Sequence, residues 1–313
     1  MSDLRHSFAG DVRAGLGAPR KYLQPWWFYD ALGSALFSAI CELPEYYVTR
    51  AESEVLTRHG EEIARELGDA VRLVELGSGD CRKTPLLLGP MFARLPHLHY
   101  VPVDIDDSVL EKSARDLALD FPGLRIEPIR GDYRDGSDLI APDGRTAVLF
   151  LGSSIGNLDL PSAAAMLREV RLTLATGDTL LLGADLRKPK EILEPAYDDP
   201  LGVTAAFNLN LLARINRELG GTFDLAQFRH RAFFNEAESR IEMHLVSRVR
   251  QSVRIESIGM TAEFEPEESI HTENSYKYAE ADLARMAAEA GFALRRTWTD
   301  SRRWFADVLL AAL

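Results

Sequence analysis

The chain has 313 residues, of which 46% are hydrophobic and 27% charged, so it can bury one large core or two smaller ones, which excludes a disordered or fibrous protein. Its net charge of −12 disfavours nucleic acid and anionic membranes as partners, because both repel an acidic surface. No run approaches the roughly 20 apolar residues that span a bilayer, and the first residues form no signal peptide, so we expect a cytoplasmic protein. We also expect a monomer. The two cysteines, Cys41 and Cys81, lack metal-ligand spacing, so we expect neither a disulfide framework nor a metal.

Helix and strand signals alternate from about residue 50 to residue 185. Thr49-Arg-Ala-Glu52 has the spacing of a capping box and predicts a helix that runs to about Leu67. Ser108-Val-Leu-Glu111 has the same spacing and predicts a helix to about Phe121. Strands are predicted at 72–76, 99–105, 125–129, 147–151 and 179–185, with further helices at 83–95 and 161–175. Strands joined through helices in this way lie parallel, because a parallel pair needs a long crossover.

The pattern changes after Asp185 and returns at Tyr278. Residues 189–220 predict helices, including Val203–Leu219, and 227–265 alternate with the two-residue period of antiparallel strands. From Tyr278 a helix to Ala290 precedes strands at 294–299 and 304–310. We therefore predict an α/β fold in which a doubly wound, seven-stranded sheet domain (51–187 and 277–313) carries an inserted α+β substrate-binding domain (188–276, joined by 1–50). We expect the insertion to cover the carboxyl ends of the strands, where open α/β sheets bind ligands.

Three consecutive strand ends suggest a cofactor. Val74-Glu-Leu-Gly-Ser-Gly79 closes the first strand with glycines that let the backbone approach a ligand. Asp104 ends the second strand, where a carboxylate can accept hydrogen bonds from a ribose diol, and Asp132 in Gly131-Asp132 follows the third, where it can accept one from an adenine amine. A glycine turn with helix-capping acids would look similar, and a dehydrogenase would have a third glycine and an acid about 20 residues on. The pattern resembles that of class I S-adenosylmethionine-dependent methyltransferases.

The fourth strand leads into Leu151-Gly-Ser-Ser-Ile-Gly-Asn157. In a methyltransferase this loop faces the reactive methyl group, and the Asn157 amide could accept a hydrogen bond from an amine and aim its lone pair. Positioning of this kind provides most of the catalysis for a neutral amine, of order 7–11 kcal/mol at best. The alternative is that Asn157 only forms the turn after Gly156.

Beyond these strand ends, the whole chain resembles the bacterial histidine Nα-trimethyltransferase family, which makes hercynine for ergothioneine biosynthesis. The motifs that carry the resemblance lie along most of the chain: Asp11-Val-Arg-Ala-Gly-Leu16, Trp27-Phe-Tyr-Asp30, Leu43-Pro-Glu-Tyr-Tyr47, Val74–Gly79, Phe150-Leu-Gly152, Ile155-Gly-Asn157, Gly202-Val-Thr-Ala-Ala-Phe-Asn208 and Arg240-Ile-Glu-Met243. The resemblance implies that S-adenosylmethionine methylates the α-amine of L-histidine three times.

The resemblance also implies roles for individual residues. Tyr46, Asn157 and Tyr197 would bind the amino and carboxylate ends of histidine, with Tyr29 and Gly152 near the amine and Tyr29 a candidate proton outlet. Glu273 and Ser275 would read the imidazole nitrogens from alternate strand positions, with Met243 packed beside the ring. The donor-side residues would be Gly77, Lys83, Asp104, Asp132 and Tyr133, the last standing where we expect phenylalanine.

Other functions fit parts of the pattern. An enzyme of the same fold could methylate another amino acid such as tryptophan, although Glu273 and Ser275 favour an imidazole. A methyltransferase for RNA or protein is disfavoured by the acidic charge and the lack of a basic stripe. A non-catalytic sensor of either ligand would bind without turnover.

Overall fold

The computed structural model describes residues 7–132 and 144–313, so Tyr133 lies outside the described residues. The chain divides into two compact units. The first comprises Met1–Tyr46 and Pro189–Ser275, and the second comprises Tyr47–Lys188 and Tyr276–Leu313.

The elements are numbered along the chain within the described residues. The α-helices are α1 Phe8–Gly17, α2 Ala31–Glu42, α3 Tyr47–Glu66, α4 Pro85–Arg94, α5 Asp107–Asp120, α6 Leu160–Thr173, α7 Lys190–Leu193, α8 Val203–Leu219 and α9 Glu280–Glu289. The strands are β1 Arg72–Leu76, β2 His99–Asp104, β3 Arg125–Ile126, β4 Ile129–Arg130, β5 Thr146–Phe150, β6 Thr179–Asp185, β7 Phe228–Asn235, β8 Arg240–Ser247, β9 Gln251–Ile255, β10 Met260–Phe264, β11 Ser269–Tyr276, β12 Phe292–Thr299 and β13 Phe305–Ala312.

The second unit is built on one sheet in the order β12-β13-β6-β5-β1-β2-β3, with β4 also paired to β2. The parallel pairs are β6–β5, β5–β1, β1–β2, β2–β3 and β2–β4. Strand β13 runs antiparallel to both β6 and β12. This order, with its inserted antiparallel strand near one edge, is that of the class I methyltransferase sheet. The predicted α/β fold class is therefore confirmed.

Both faces of this sheet are covered. Val74 and Leu76 of β1 belong to one buried cluster, which includes Leu167 of α6 and Leu283 of α9. Leu73, the neighbour of Val74, belongs to a second cluster. Successive residues of a strand point to opposite faces, so a strand buried on both faces favours the nearly continuous apolar sequence that β5 and β6 have. Strand β1 is also buried throughout but contains Glu75.

Both predicted capping boxes are wrong. The first helix begins at Tyr47, and Glu52, which was expected to cap it, is fully buried and bonded to Gly152 instead. The helix after β2 is capped by Asp106, whose carboxylate accepts the Ser108 and Val109 N–H groups. Glu52 is thus drawn away by a distant backbone N–H group, whereas at the second helix a neighbouring aspartate takes the capping position.

The third strand, predicted as one piece at 125–129, is two short pieces. Pro128 lies between β3 and β4 and has no N–H to donate, so the ladder to β2 cannot be continuous there. The remaining predicted strands and helices of this unit are present, with ends shifted by up to two residues in most cases.

The first unit holds the antiparallel strands and the helices at 189–220 that the sequence predicts. Strands β11, β8 and β7 form a three-stranded sheet, and β9 pairs with β10. The N-terminal segment joins this unit, because Tyr22 forms a β-bridge with His271 of β11. The Asp30 carboxylate also accepts hydrogen bonds from Asn210 and Arg217, which are both on α8. None of the described helices has a stretch long and apolar enough to cross a membrane.

Candidate active site

The glycine turn after β1 is held by the end of β2. The N–H groups of Gly77 and Ser78 both donate to the Val103 carbonyl, at 2.9 and 3.0 Å, and the Gly79 N–H donates to Asp104 Oδ2 at 2.8 Å. Gly77 and Gly79 have φ values of 69° and 54°, in the left-handed region that favours glycine. The turn therefore needs both glycines for its backbone shape.

Asp104 organises the donor-side residues around itself. Its second oxygen, Oδ1, accepts the Asp106 N–H at 3.0 Å, and its carbonyl accepts the Gly131 N–H at 3.0 Å, which brings Asp132 to the same edge of the sheet. Burial raises the pKa of the Asp104 carboxyl, and the backbone hydrogen bonds oppose that rise. A carboxylate oxygen can accept more than one hydrogen bond, so Asp104 retains acceptor capacity for a ribose diol.

Glu75, the acid that precedes the turn, is engaged inside the sheet. Its Oε2 accepts the Tyr100 hydroxyl at 2.5 Å and the Thr84 hydroxyl at 2.8 Å. Burial raises the pKa of this carboxyl to about 7, against the two hydrogen bonds that lower it. Glu75 therefore ties β1 to β2 and to the start of α4.

The loop after β5 has a strained and well-anchored backbone. Gly152 and Ser153 have φ values of 75° and 58°, and Ser154–Asn157 then forms a short 3-10 helix that ends at Asn157. The Ser153 hydroxyl accepts the Asp185 N–H from the end of β6 at 2.9 Å. These contacts fix the position of Asn157, the residue predicted to bind the amine.

Gly156 allows this loop to approach the end of β11. A Cβ atom at Gly156 would lie 3.0 Å from the Tyr276 carbonyl oxygen, which is closer than real Cβ contacts normally come. The Tyr278 hydroxyl also donates to the Ile155 carbonyl at 3.3 Å. The motif Ile155-Gly-Asn157 thus contains a glycine that close packing requires.

Lys83, predicted on the donor side, is paired with Glu52. Its ammonium forms an ion pair with the Glu52 carboxylate, and a Cβ at Gly152 would lie 3.6 Å from its Nζ. Glu52 also accepts the Gly152 N–H, at 2.8 Å to Oε1 and 3.0 Å to Oε2. Lys83 and Gly152 are therefore neighbours. The buried acid that joins them, Glu52, was predicted only as part of a capping box.

The first unit brings together four residues predicted to contact histidine, namely Tyr46, Tyr197, Glu273 and Ser275. The Tyr46 and Tyr197 rings have centroids 6.0 Å apart in an edge arrangement, and the Tyr197 hydroxyl lies 2.8 Å from the Ser275 hydroxyl. Burial, together with Tyr197, Tyr29 and Glu273 among the charges around it, raises the pKa of Tyr46 well above its usual value. Tyr46 is therefore a neutral phenol that can donate a hydrogen bond.

Tyr29 lies beside this group. Its ring makes edge contacts with Phe37 at 5.7 Å and Phe207 at 5.9 Å between centroids, and Phe37 in turn makes an edge contact with Tyr46. The apolar neighbours exclude water from one side of the tyrosine group.

Strands β8 and β11 position the residues predicted to read the imidazole. Glu273 and Ser275 are both buried on β11, and Met243 is buried on β8, where its carbonyl accepts the Thr272 hydroxyl at 3.0 Å. This bond joins the two strands next to Glu273. A buried carboxylate and hydroxyl two residues apart suit a ligand with two ring nitrogens.

Two further residues, His230 and Asn208, support the position of Tyr197. His230 Nε2 donates to the Tyr197 carbonyl at 2.8 Å, so its Nδ1 accepts the Asn208 amide at 2.9 Å. Asn208 is fully buried on α8 and also donates to the His244 carbonyl. This chain of bonds fixes the backbone at Tyr197, and only Asn208 lay in a motif already singled out.

A group of metal-ligand residue types lies on the same sheet. Ligand atoms of Glu242, His244 and His271 come within 4.8 Å of one another. The Arg240 guanidinium, however, already binds Glu242 Oε1 through two nitrogens. Burial is the largest cause that lowers the pKa of His244, and the charges of Arg231 and Arg240 lower it further. The positive charge around this group disfavours a further cation.

The sheet order and the glycine turn held by Asp104 define a class I methyltransferase. The chain also matches the family model described as "Histidine-specific methyltransferase, SAM-dependent" over residues 8–312. It therefore belongs to this family of S-adenosylmethionine-dependent enzymes.

The chain is also similar to individual proteins and to a solved structure. The chain is 44% identical to the histidine N-alpha-methyltransferase of Mycolicibacterium smegmatis over 290 residues, which cover 93% of this chain and 90% of that protein. It is 29% identical to ergothioneine biosynthesis protein 1 of Schizosaccharomyces pombe, covering 85% of this chain and 36% of that protein. Among solved structures, the CcbJ methyltransferase from Streptomyces caelestis is similar with a TM-score of 0.46 and 16% identity, covering 81% of this chain and 89% of that one.

Proposed function

We propose that this protein transfers three methyl groups in succession from S-adenosylmethionine to the α-amino group of L-histidine, giving hercynine, the first step of ergothioneine biosynthesis. The observation that carries the proposal is the family match over nearly the whole chain, together with a relative that is 44% identical and is named for this reaction. The Schizosaccharomyces pombe relative, named for ergothioneine biosynthesis, supports the place of the reaction in that pathway.

The donor supplies a methyl group on a sulfonium: a new N–C bond forms as the C–S bond breaks, and a neutral thioether leaves. The chain has to hold the donor and aim an uncharged amine. Asp104 binds the ribose hydroxyls and Asp132 the adenine, beside the turn that Gly77 opens. Lys83 completes the donor contacts, and we assign Tyr133 to the same role.

Asn157 accepts a hydrogen bond from the amine and directs its lone pair at the methyl carbon, with the Gly152 backbone beside it. After each of the first two transfers the amine carries a positive charge and has to lose a proton before it can react again. A carboxylate close to it would hold that proton, whereas the neutral groups of Asn157 and Tyr46 do not. Tyr29 passes the proton toward water.

Glu273 and Ser275 bind the imidazole, Met243 packs against the ring, and Tyr197 binds the carboxylate end. A buried acceptor that loses its partner costs about 1–3 kcal/mol, and more when it is charged. An indole or phenyl side chain leaves Glu273 in that state, so these residues select histidine. In this assignment the first unit binds the substrate side chain and the second binds the donor.

The experiment is a competition assay. Purified protein receives S-adenosylmethionine with equal amounts of histidine and tryptophan, and mass spectrometry follows both amino acids. We expect histidine to be consumed and its trimethylated form to accumulate. Consumption of tryptophan alone identifies the rival amino-acid methyltransferase, and binding of both ligands with no product identifies a sensor.

A further inference from the structure

Glu52 has a role that its predicted place in a capping box does not suggest. It lies on α3 and is fully buried, yet it carries a carboxylate. Its partners come from two distant segments: the Lys83 ammonium and the Gly152 N–H group. Both partners were implicated by the resemblance, Lys83 on the donor side and Gly152 near the amine.

The geometry leaves Glu52 little freedom. A Cβ atom at Gly183 of β6 would lie 2.3 Å from Glu52 Oε1, so a side chain at that position would force the carboxylate out of its present place. Gly183 has an ordinary backbone conformation, and the room it leaves for Glu52 is therefore the reason for glycine in the middle of a buried strand.

A second buried acid lies beside this group. Asp307 of β13 is fully buried, and neither of its carboxylate oxygens has a hydrogen-bond partner among the described residues. Burial, and then the Glu52 charge, raise the pKa of the Asp307 carboxyl well above its usual value, and the Lys83 charge opposes that rise. Glu52 is the acid that forms the ion pair with the Lys83 ammonium.

We infer that Glu52 is a positioning residue for methyl transfer: it holds the Lys83 ammonium for the donor and the Gly152 backbone for the amine with a single carboxylate. The inference rests on the proposed function for the roles of Lys83 and Gly152. Because one carboxylate makes both contacts, a substitution at Glu52 that removes both of them should affect the binding of both substrates.

Three variants separate charge from position. Glu52→Gln keeps an acceptor for the Gly152 N–H but loses the negative charge. Glu52→Asp keeps the charge but is one methylene shorter, so it cannot reach both partners. Glu52→Ala loses both contacts. The matched control is Glu54→Gln on the same helix, because the Glu54 carboxylate is at the surface, where it bonds to Arg58 and to the Ser301 N–H.

The measurements are calorimetric binding of S-adenosylhomocysteine and the KM and kcat for histidine. A hydrogen bond to a charged group is typically worth about 10- to 100-fold in affinity. We expect Glu52→Gln to weaken S-adenosylhomocysteine binding about tenfold or more with a small change in histidine KM. Glu52→Asp and Glu52→Ala should change both, and Glu54→Gln neither.

Folded variants, judged by circular dichroism, that retain wild-type S-adenosylhomocysteine affinity and histidine KM would overturn the inference and leave Glu52 a purely structural acid. If Glu52→Ala fails to fold, Glu52→Gln and Glu52→Asp decide the matter. If the wild-type protein binds S-adenosylhomocysteine but does not methylate histidine, the proposed function fails, while the binding arm still tests the Lys83 half of the inference.

A double variant tests the charge balance. In Glu52→Gln the neighbouring Asp307 can ionise and pair with Lys83, which limits the loss of donor affinity. We expect Asp307→Asn alone to leave S-adenosylhomocysteine binding within about twofold of wild type, and to deepen the defect markedly when combined with Glu52→Gln. Additive effects of the two substitutions would contradict this exchange of roles.

Discussion

The pH dependence of stability should report the buried Glu75 carboxyl. Glu75 is 4% exposed, and burial raises its pKa from an ordinary 4.5 to about 7. An acid whose pKa is higher in the folded than in the unfolded protein stabilises the fold below its unfolded pKa, and that stability is lost as the pH rises through the folded pKa. Wild-type protein should therefore lose about 2–3 kcal/mol through this residue between pH 5 and pH 8.

The perturbation is Glu75→Gln, which keeps an acceptor for the Tyr100 and Thr84 hydroxyls but cannot ionise. Urea unfolding of both proteins at several pH values gives the difference in unfolding free energy. We expect that difference to move in favour of the variant by about 2–3 kcal/mol from pH 5 to pH 8. The exposed control Glu61→Gln should follow the wild-type pH profile. A Glu75→Gln difference that does not change with pH would refute the assignment of a raised pKa.

The remaining predictions concern the two substrates. Glu273→Ala should raise the KM for histidine by about 10- to 100-fold and leave S-adenosylhomocysteine affinity unchanged. Glu267→Ala, at an exposed glutamate, is the control. An equal loss of donor affinity would mean that Glu273 does not contact histidine. Asp104→Asn should weaken S-adenosylhomocysteine binding about tenfold or more in calorimetry, because it removes the charge of the ribose acceptor and one acceptor from the glycine turn. A wild-type affinity would rule out Asp104 as the residue that binds the ribose. Activity should survive dialysis against a chelator, because a neutral amine and a sulfonium donor need no Lewis acid; loss of activity restored by a metal would contradict this.

The elements predicted best are those whose boundaries are set locally. The helix Val203–Leu219 is predicted to the residue because Gly202 and Gly220, with φ values of 75° and 65°, bound it at both ends. The strand Thr179–Asp185 is equally well predicted, since a continuous apolar run suits a strand that is buried on both faces.

Two roles that the sequence did not reveal depend on distant partners. Glu52 fits a capping box in sequence, but its hydrogen-bond partner Gly152 is 100 residues away, and the burial of the carboxylate overrides the local rule. The role of Glu75 was hidden for the same reason, because Tyr100 lies 25 residues further along the chain.

Most of the candidate site came from short motifs and from the resemblance rather than from periodicity. The Gly77 turn and Asp104 could be found from strand ends, because parallel strands bring their carboxyl ends to one edge. Glu273, Ser275 and Tyr197 had no such signal. Neither did His230, whose function is to hold the Tyr197 carbonyl.

The position of the transferred methyl groups tests the central claim most directly. The protein is supplied with histidine and with S-adenosylmethionine labelled with carbon-13 in the methyl group, and the purified product is analysed by tandem mass spectrometry and carbon–proton correlation NMR. We predict three equivalent labelled methyl groups on the α-nitrogen and an unmodified imidazole. Label on a ring nitrogen, or no label on histidine while another amino acid is methylated, would contradict the account.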